Sequence, residues 1–316
     1  MSYLGVAQLG TIGPHEVAAR SRAELDRPLL YDAELTLGLV GEDAVLLGAF
    51  QRPCEIEAPH PRLVFRRISG GPAARVGQGT IWMSLALANK DALIPCEPTK
   101  IVQRHIRPLL RALTKLGRPA VYADREAIMI ANRPAALVGF AHDTETGRTT
   151  VEAILAVSTP YGASKRSVLD KAPGTLEQLH GKRVDAVNLC GAIAESFAEE
   201  HLLEIEPLAI APVGAAEGTV PRDDPPWDAM VEEALGPIRA GRDADHRMRI
   251  GGELRVSRDA LASLESAVEA LGPFGSRADV ARAVDQTLGP LAVAIQGVRA
   301  LGSIATVIVK AIDASR

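Results

Sequence analysis

Aromatic side chains are scarce in this 316-residue chain, at 3%, so its interior must be built from Val, Leu, Ile and Ala rather than from stacked rings. Cysteine is scarcer still. Cys54, Cys96 and Cys190 are odd in number and far apart with no C-x-x-C pair, which argues against a disulfide framework or a structural zinc site. Three isolated thiols, and a start without a basic region followed by an apolar run, lead to the expectation of a cytoplasmic protein. No long hydrophobic run occurs either: residues 291–312 are the most apolar stretch, but Gln296, Arg299 and Lys310 interrupt it. That stretch reads as a buried helix, and no membrane contact is expected. Excess charge of one sign is also missing, since 35 Lys and Arg against 39 Asp and Glu leave −4. Without a broad cationic face, nucleic acid is not an expected partner. The seven histidines form no H-x-x-x-H pair, and no G-x-x-x-x-G-K-[ST] loop is present.

What is present is a hydrophobic fraction of 47%, enough for a folded core, and a length that suits one large or two modest domains. Leu35, Leu37 and Leu39 alternate before a turn at Gly41-Glu42-Asp43, and residues 44–47 run apolar, so two strands flank that turn. Residues 64–65 and 80–87 continue the strand pattern. Over 98–116 the apolar spacing predicts a helix ended by Gly117, bent or divided at Pro108. Short apolar runs at 120–122, 127–130, 135–140 and 149–157, separated by Asn132-Arg133-Pro134 and by 143–147, read as a meandering, mostly antiparallel sheet. A helix over 185–201 follows from Ala186, Leu189, Cys190, Ile193, Ala194 and Phe197. Residues 211–226 are rich in Pro, Gly and acidic residues, which places a linker at 213–226 between a domain of residues 1–212 and another of 227–316. The second domain is expected to hold a strand over 248–256 and helices starting near Ser257 and Ser276. Pro290 suits the first turn of a last helix.

The densest chemical signal is Arg66-Arg67-Ile68-Ser69-Gly70-Gly71-Pro72-Ala73-Ala74, followed by Gly77-Gln78-Gly79 and Ser84. Glycines this close make a loop whose N–H groups can turn toward an anion, while an arginine supplies a positive fork. The bland alternative is a solvated Arg pair beside a Gly-Gly hairpin.

In its surroundings this segment resembles the arginine- and glycine-rich loop of the lipoate-protein ligase and octanoyltransferase family, whose usual form reads RRxSGGGAVxHxxGxxxxS. Arg66, Arg67, Ser69, Gly70, Gly71, Ala73, Gly79 and Ser84 match. Pro72 and Ala74 replace a glycine and a valine, and Val76 stands where the family has histidine. Leu46-Leu47-Gly48-Ala49-Phe50-Gln51 is similar to the strand ending in Gly-x-x-Gln before that loop, and Asp124-Arg125-Glu126 with Ile128 resembles the segment leading into the catalytic strand. Residues 247–312 look like the small accessory domain of many lipoate ligases. The resemblance implies an α+β fold shared with biotin ligases: a mixed, largely antiparallel sheet flanked by helices, plus a small C-terminal α/β accessory domain. It also implies a lipoic or octanoic acid-like ligand, a lipoyl-carrier domain as partner, and ATP with Mg. Arg67, Ser69, Gly70, Gly71, Ala73, Gly79 and Gly139 are the substrate-binding candidates that it transfers.

The family's chemistry needs a lysine aimed at developing negative charge. Octanoyltransferase spacing before Gly139 puts that position at Pro134, and ligase spacing puts it at Ala136. Neither carries charge. Arg133 is the nearby cation and the candidate to compensate, while the usual histidine-glycine pair on the next strand is replaced around Val151, Glu152 and Ala153. Two functions follow as expectations: ligase or acyltransferase chemistry on a lipoyl- or octanoyl-type acid, or a non-catalytic protein that binds the acyl ligand or a lipoyl domain. Cys190 is expected in the core, and Cys96 lies where a helix N-terminus could lower its pKa. His142 reads as an exposed turn residue. Glu152 faces either the pocket or solvent.

Overall fold

A computed structural model describes residues 2–56, 63–123, 127–162, 171–210, 213, 220, 225–233, 236–272, 275–290 and 292–314. The segment Asp124-Arg125-Glu126 and most of the expected linker 213–226 lie outside the described residues.

The chain opens with β1 (Tyr3–Ile12), α1 (Pro14–Asp26), β2 (Ala33–Val40) and β3 (Ala44–Leu47), then β4 (Val64–Arg66), β5 (Ala74–Val76) and β6 (Thr80–Leu87). Next come α2 (Ile101–His105), α3 (Arg107–Thr114), β7 (Ala120–Tyr122), β8 (Ala127–Ile130), β9 (Arg133–His142) and β10 (Thr149–Ala156). They are followed by α4 (Leu176–His180), α5 (Ala186–His201) and β11 (Glu204–Pro207). Eight strands form one sheet in the order β11-β1-β2-β6-β10-β9-β8-β7. Only β11-β1 and β1-β2 pair in parallel, and the remaining neighbours are antiparallel. This is the mixed, largely antiparallel sheet that the sequence pattern and the resemblance imply. β3, β4 and β5 make a separate three-stranded sheet, so the turn at Gly41 carries the chain from one sheet to another.

The helix expected over 98–116 is divided as Pro108 dictates: a proline within the first two positions of α3 has no N–H to continue α2. α5 starts at an Asp185 cap whose side chain accepts from Asn188 N–H at 3.0 Å, and it buries the stripe that contains Cys190. Both sheet faces are covered. One face packs on α2, α3 and α5 through residues such as Leu35, Leu85, Val151 and Phe140, and the other lies under α1.

A second core gathers residues of β12 (Ala229–Glu232), β13 (Pro237–Arg242), β14 (Met248–Gly252), β15 (Arg255–Val256), α6 (Arg258–Leu271), α7 (Arg277–Leu288), β16 (Ile295–Gln296) and α8 (Leu301–Ala314). Ser276 caps α7 by accepting from Asp279 N–H at 3.2 Å, as its position before Asp279 suggests. The expected strand over 248–256 is interrupted at residues 253–254. Pro290 does not open the last helix: α8 begins at Leu301, and β16 stands between them. A proline at a chain reversal has the same local signature as one in a first helical turn, so local sequence does not separate the two.

Candidate functional site

The loop between β4 and β5 is built around a buried arginine. Arg67 is 2% exposed. Its Nε donates to Ser69 Oγ at 2.9 Å, Nη2 to the Pro72 carbonyl at 2.8 Å and Nη1 to the Leu46 carbonyl at 3.3 Å, so one guanidinium fixes both ends of the turn. Burial lowers its pKa to about 10, with Glu152 opposing and Arg255 reinforcing that shift, and the group remains charged at neutral pH. Arg66 has a different task. It donates to the carbonyls of Gly48, Ala49 and Gln51 and ties β4 to the segment after β3.

Two glycines let this loop lie against the sheet. Gly71 has φ +109, which L side chains rarely adopt. At Gly139 on β9 a Cβ would run into Ser69 Oγ, so the close approach needs a residue without a side chain. Gly70 N–H donates to the Phe140 carbonyl at 2.8 Å, which stitches the loop to β9.

Beneath the loop the sheet carries one polar row. Thr36 on β2 pairs with Ser84 on β6, Ser84 pairs with Glu152 on β10, and Glu152 pairs with Gly139 on β9. Directly opposed residues point to the same face, so Thr36, Ser84 and Glu152 line up beneath α1 and lead to Gly139 and Ser69. α1 contributes Glu24, 4% exposed, which accepts from the Ser84 hydroxyl. Burial raises the Glu24 pKa to about 7, against lowering contributions from Ser84 and Thr36. Glu152 is 1% exposed and accepts from Trp82 Nε1 at 3.0 Å. Ser21 on α1 accepts from Ile68 N–H at 3.0 Å, which fixes the helix to the loop. Glu152 thus faces the loop rather than solvent. Alternation shows that it is on a defined face, but only the pairing shows which face meets the loop.

The second core completes the surroundings. The Leu254 side chain is buried in the second core, while its carbonyl accepts from Gly71 N–H at 3.0 Å. The next side chain reaches the eight-stranded sheet: Arg255, 1% exposed, donates to Tyr122 Oη at 2.8 Å and to the Val138 carbonyl. A Cβ placed on Gly71 would sit 3.4 Å from Arg67 Nη2, 3.6 Å from Arg255 Nε and 3.6 Å from the Val138 oxygen. The two guanidinium groups therefore converge on one glycine. Nothing in the local sequence near residue 255 announces this, because the two positions are brought together only when β15 packs against β9. A further clamp holds them: Arg52 lies 3.8 Å over the Trp227 ring, and Trp227 Nε1 donates to Glu55 Oε1 at 3.0 Å.

The remaining candidates are dispersed. Ala73 packs in a small cluster with Val45, Leu47 and Val64. Gly79, φ +89, forms the turn before β6, where its carbonyl accepts from Val157 and Ser158 N–H. Arg133 starts β9, six residues before Gly139, which at a strand's rise is roughly 20 Å away. It is exposed and donates to the carbonyls of Ala172 and Pro173 at 3.2 and 3.0 Å. The structure does not bring it to the loop. Pro134 and Ala136 are both buried, and Ala136 belongs to the apolar core. His142 is buried, 2% exposed, with Nδ1 2.8 Å from Thr149 Oγ1, and burial lowers its pKa; the expectation of an exposed turn residue fails because β9 extends through it. Burial, followed by Asp91, raises rather than lowers the Cys96 pKa. Cys190 is buried as expected, its pKa pushed up to about 11. Among the described residues, no helix is long and apolar enough to cross a membrane.

No protein-family model matches the chain, and no curated protein matches it by sequence. Solved structures do. A bi-partite lipoate protein ligase from Thermoplasma acidophilum, described with its E2 lipoyl domain, is similar at 15% identity and TM-score 0.57, over 67% of this chain and 88% of that one. A lipoate-protein ligase A bound with ATP is similar at 16% identity and TM-score 0.54, over 67% and 90%. P. falciparum LipL1 in complex with lipoate is similar at 12% identity and TM-score 0.58, over 90% and 94%. The chain has the fold of the lipoate-protein ligases, the fold class implied by its glycine loop.

Proposed function

We propose that this chain is a lipoate-protein ligase-like protein that holds a lipoyl- or octanoyl-type acid for attachment to a lysine of a carrier protein. The observation that carries this reading is the placement of the Arg67-Ser69-Gly70-Gly71 loop against Gly139 and the polar row, in a fold whose similar structures include one in complex with lipoate and one bound with ATP. In this reading Arg67 keeps the loop in shape and contributes positive potential toward the acid's carboxylate, and Ser69 fixes the Arg67 fork. Gly70 and Gly71 bring the backbone close to the head group, with Gly139 leaving room beneath. Ala73 and Gly79 act from the ends of the loop by fixing its exit strand and turn.

ATP with Mg fits the site in part. Buried guanidinium groups suit a phosphate-bearing ligand, with Arg67 as the residue that would face it, and ATP when bound would supply activation of the acid. Among the described residues, no group of three or more His, Cys, Asp or Glu side chains could hold a metal ion. Mg would therefore be held chiefly through phosphate oxygens and water.

A specific observation also favours a second reading, a non-catalytic protein that binds the acyl ligand or a lipoyl domain. Pro134 and Ala136 are buried without charge, and Gly71 N–H already serves Leu254. Both readings predict binding of lipoic or octanoic acid, and turnover separates them. The deciding experiment is calorimetric titration with lipoate, octanoate and a non-hydrolysable lipoyl-adenylate mimic, paired with an assay of ATP-dependent pyrophosphate release. Binding with release supports the ligase, and binding without release supports the binding protein. Absence of binding to all three removes both.

A further inference from the structure

We propose that the cavity between α1 and the chain that follows β11 is a second binding site, one that takes an uncharged, ring-sized molecule carrying a hydroxyl group. This goes beyond the reading above and does not depend on it, because among the described residues neither the glycine loop nor Gly139 lines the cavity.

The walls come from two elements. α1 turns Ala23 and Glu24 toward the space, and across it runs the segment that begins at Leu208, whose N–H donates to the Val6 carbonyl at 2.8 Å and keeps the chain beside β1. Between them lies a cavity of about 220 Å³, with Ala23, Leu30, Leu208, Ala209 and Ile210 as apolar lining. Leu30, 76% exposed, marks its open end, and Glu24, 4% exposed, its buried one. An apolar cavity of about 150 Å³ is large enough to bind benzene. The space beside Glu24 therefore admits a benzene-sized ring with a short substituent.

The buried end is polar and incompletely hydrogen-bonded. Ser84 Oγ donates to Glu24 Oε2, while Glu24 Oε1 has no hydrogen bond. Thr36 Oγ1 is close enough to lower the Glu24 pKa, yet it too has no hydrogen bond. Buried polar atoms without partners are costly, and a hydroxyl, which both donates and accepts, can serve the two at once. Charge of either sign is disfavoured. Arg20 is bound to Glu16 through Nε and Nη2 at 2.9 and 2.7 Å, and Arg27 to Glu34, so both guanidinium groups that border the cavity already face a carboxylate. An anion would meet a buried carboxyl. A cation would have to ionise Glu24 against the burial that raises its pKa to about 7, beside two guanidinium groups.

The test is an NMR titration of the full chain at about pH 6, where burial keeps Glu24 protonated. The probes are benzyl alcohol, toluene, benzoate and benzylammonium, followed through the amide signals of residues 20–30 and 208–210. Benzyl alcohol should bind roughly tenfold more tightly than toluene, and both ions should bind more weakly than the alcohol. Thr36→Val and Glu24→Leu should each bring the alcohol toward the affinity of toluene. Ala23→Phe fills the cavity from α1 and should abolish binding of both; it leaves Glu24 and Ser84 in place, so it serves if Glu24→Leu does not fold. Equal affinity of wild type for toluene and benzyl alcohol overturns the proposal, as does tighter binding of either ion. Unchanged binding by Ala23→Phe, or displacement of benzyl alcohol by lipoate, overturns the cavity as a site of its own. Absence of binding by all four probes also overturns it.

Discussion

Replacing Glu24 with glutamine should change how stability depends on pH. The carboxyl sits between α1 and the sheet, 4% exposed, with Ser84 donating to it, and burial moves its pKa from 4.5 to about 7. Each pKa unit corresponds to about 1.4 kcal/mol, so the move is worth roughly 3 kcal/mol. In the folded protein the proton stays on, whereas the unfolded chain loses it near pH 4.5. Stability is therefore fully present below pH 4.5, falls as pH rises toward 7 and stays low above that. Glu24→Gln keeps an acceptor for Ser84 and has no proton to lose. Urea unfolding from pH 4.5 to 8 should show the variant gaining roughly 3 kcal/mol on the wild type across that interval. Other groups titrate in both proteins and cancel in the difference. Two curves that remain parallel would refute the assignment of a buried, protonated Glu24.

Other consequences are equally direct. His105 is fully buried in the core and its pKa is lowered to about 4, first by burial and then by His201. Its contribution is present above pH 6.5 and is lost as pH falls toward 4, so His105→Leu should flatten the acid limb of the stability profile by roughly 3 kcal/mol. At Gly70 a Cβ would collide with the Leu254 carbonyl, and Gly70→Ala should lower Tm by several degrees and speed amide exchange in both loop and residues 252–256. Ser276→Ala removes the α7 cap, and unfolding measurements should register a loss of about 1 kcal/mol. A thiol reagent should label exposed Cys54 in the native protein and reach buried Cys190 only in denaturant, since burial also holds that thiol near pKa 11. Rapid native labelling of Cys190 would contradict its place in the core.

The sequence by itself determined the elements whose physics is local. Leu35, Leu37 and Leu39 alternate because β2 is a strand, Pro108 divides a helix because it has no N–H, and Ser276 caps α7 because Asp279 stands three residues later. The glycine loop was also legible, through the spacing of its arginines and glycines. α1 was not. Its buried face includes Arg20, Ser21 and Glu24, so no apolar stripe marks it, and its polar surface makes sense only above Thr36, Ser84 and Glu152. Glu152 and His142 could not be placed from alternation alone, which defines two faces but does not say what covers each. Arg133 lies close in sequence to Gly139, yet a strand's rise carries it to the far end of β9. Arg255 is remote in sequence from Gly71, and only the packing of β15 on β9 sets its guanidinium there. Hydrogen bonding and steric fit within a few residues are written in order along the chain, whereas charges assembled from different strands and domains acquire their environment only when the tertiary structure excludes water around them.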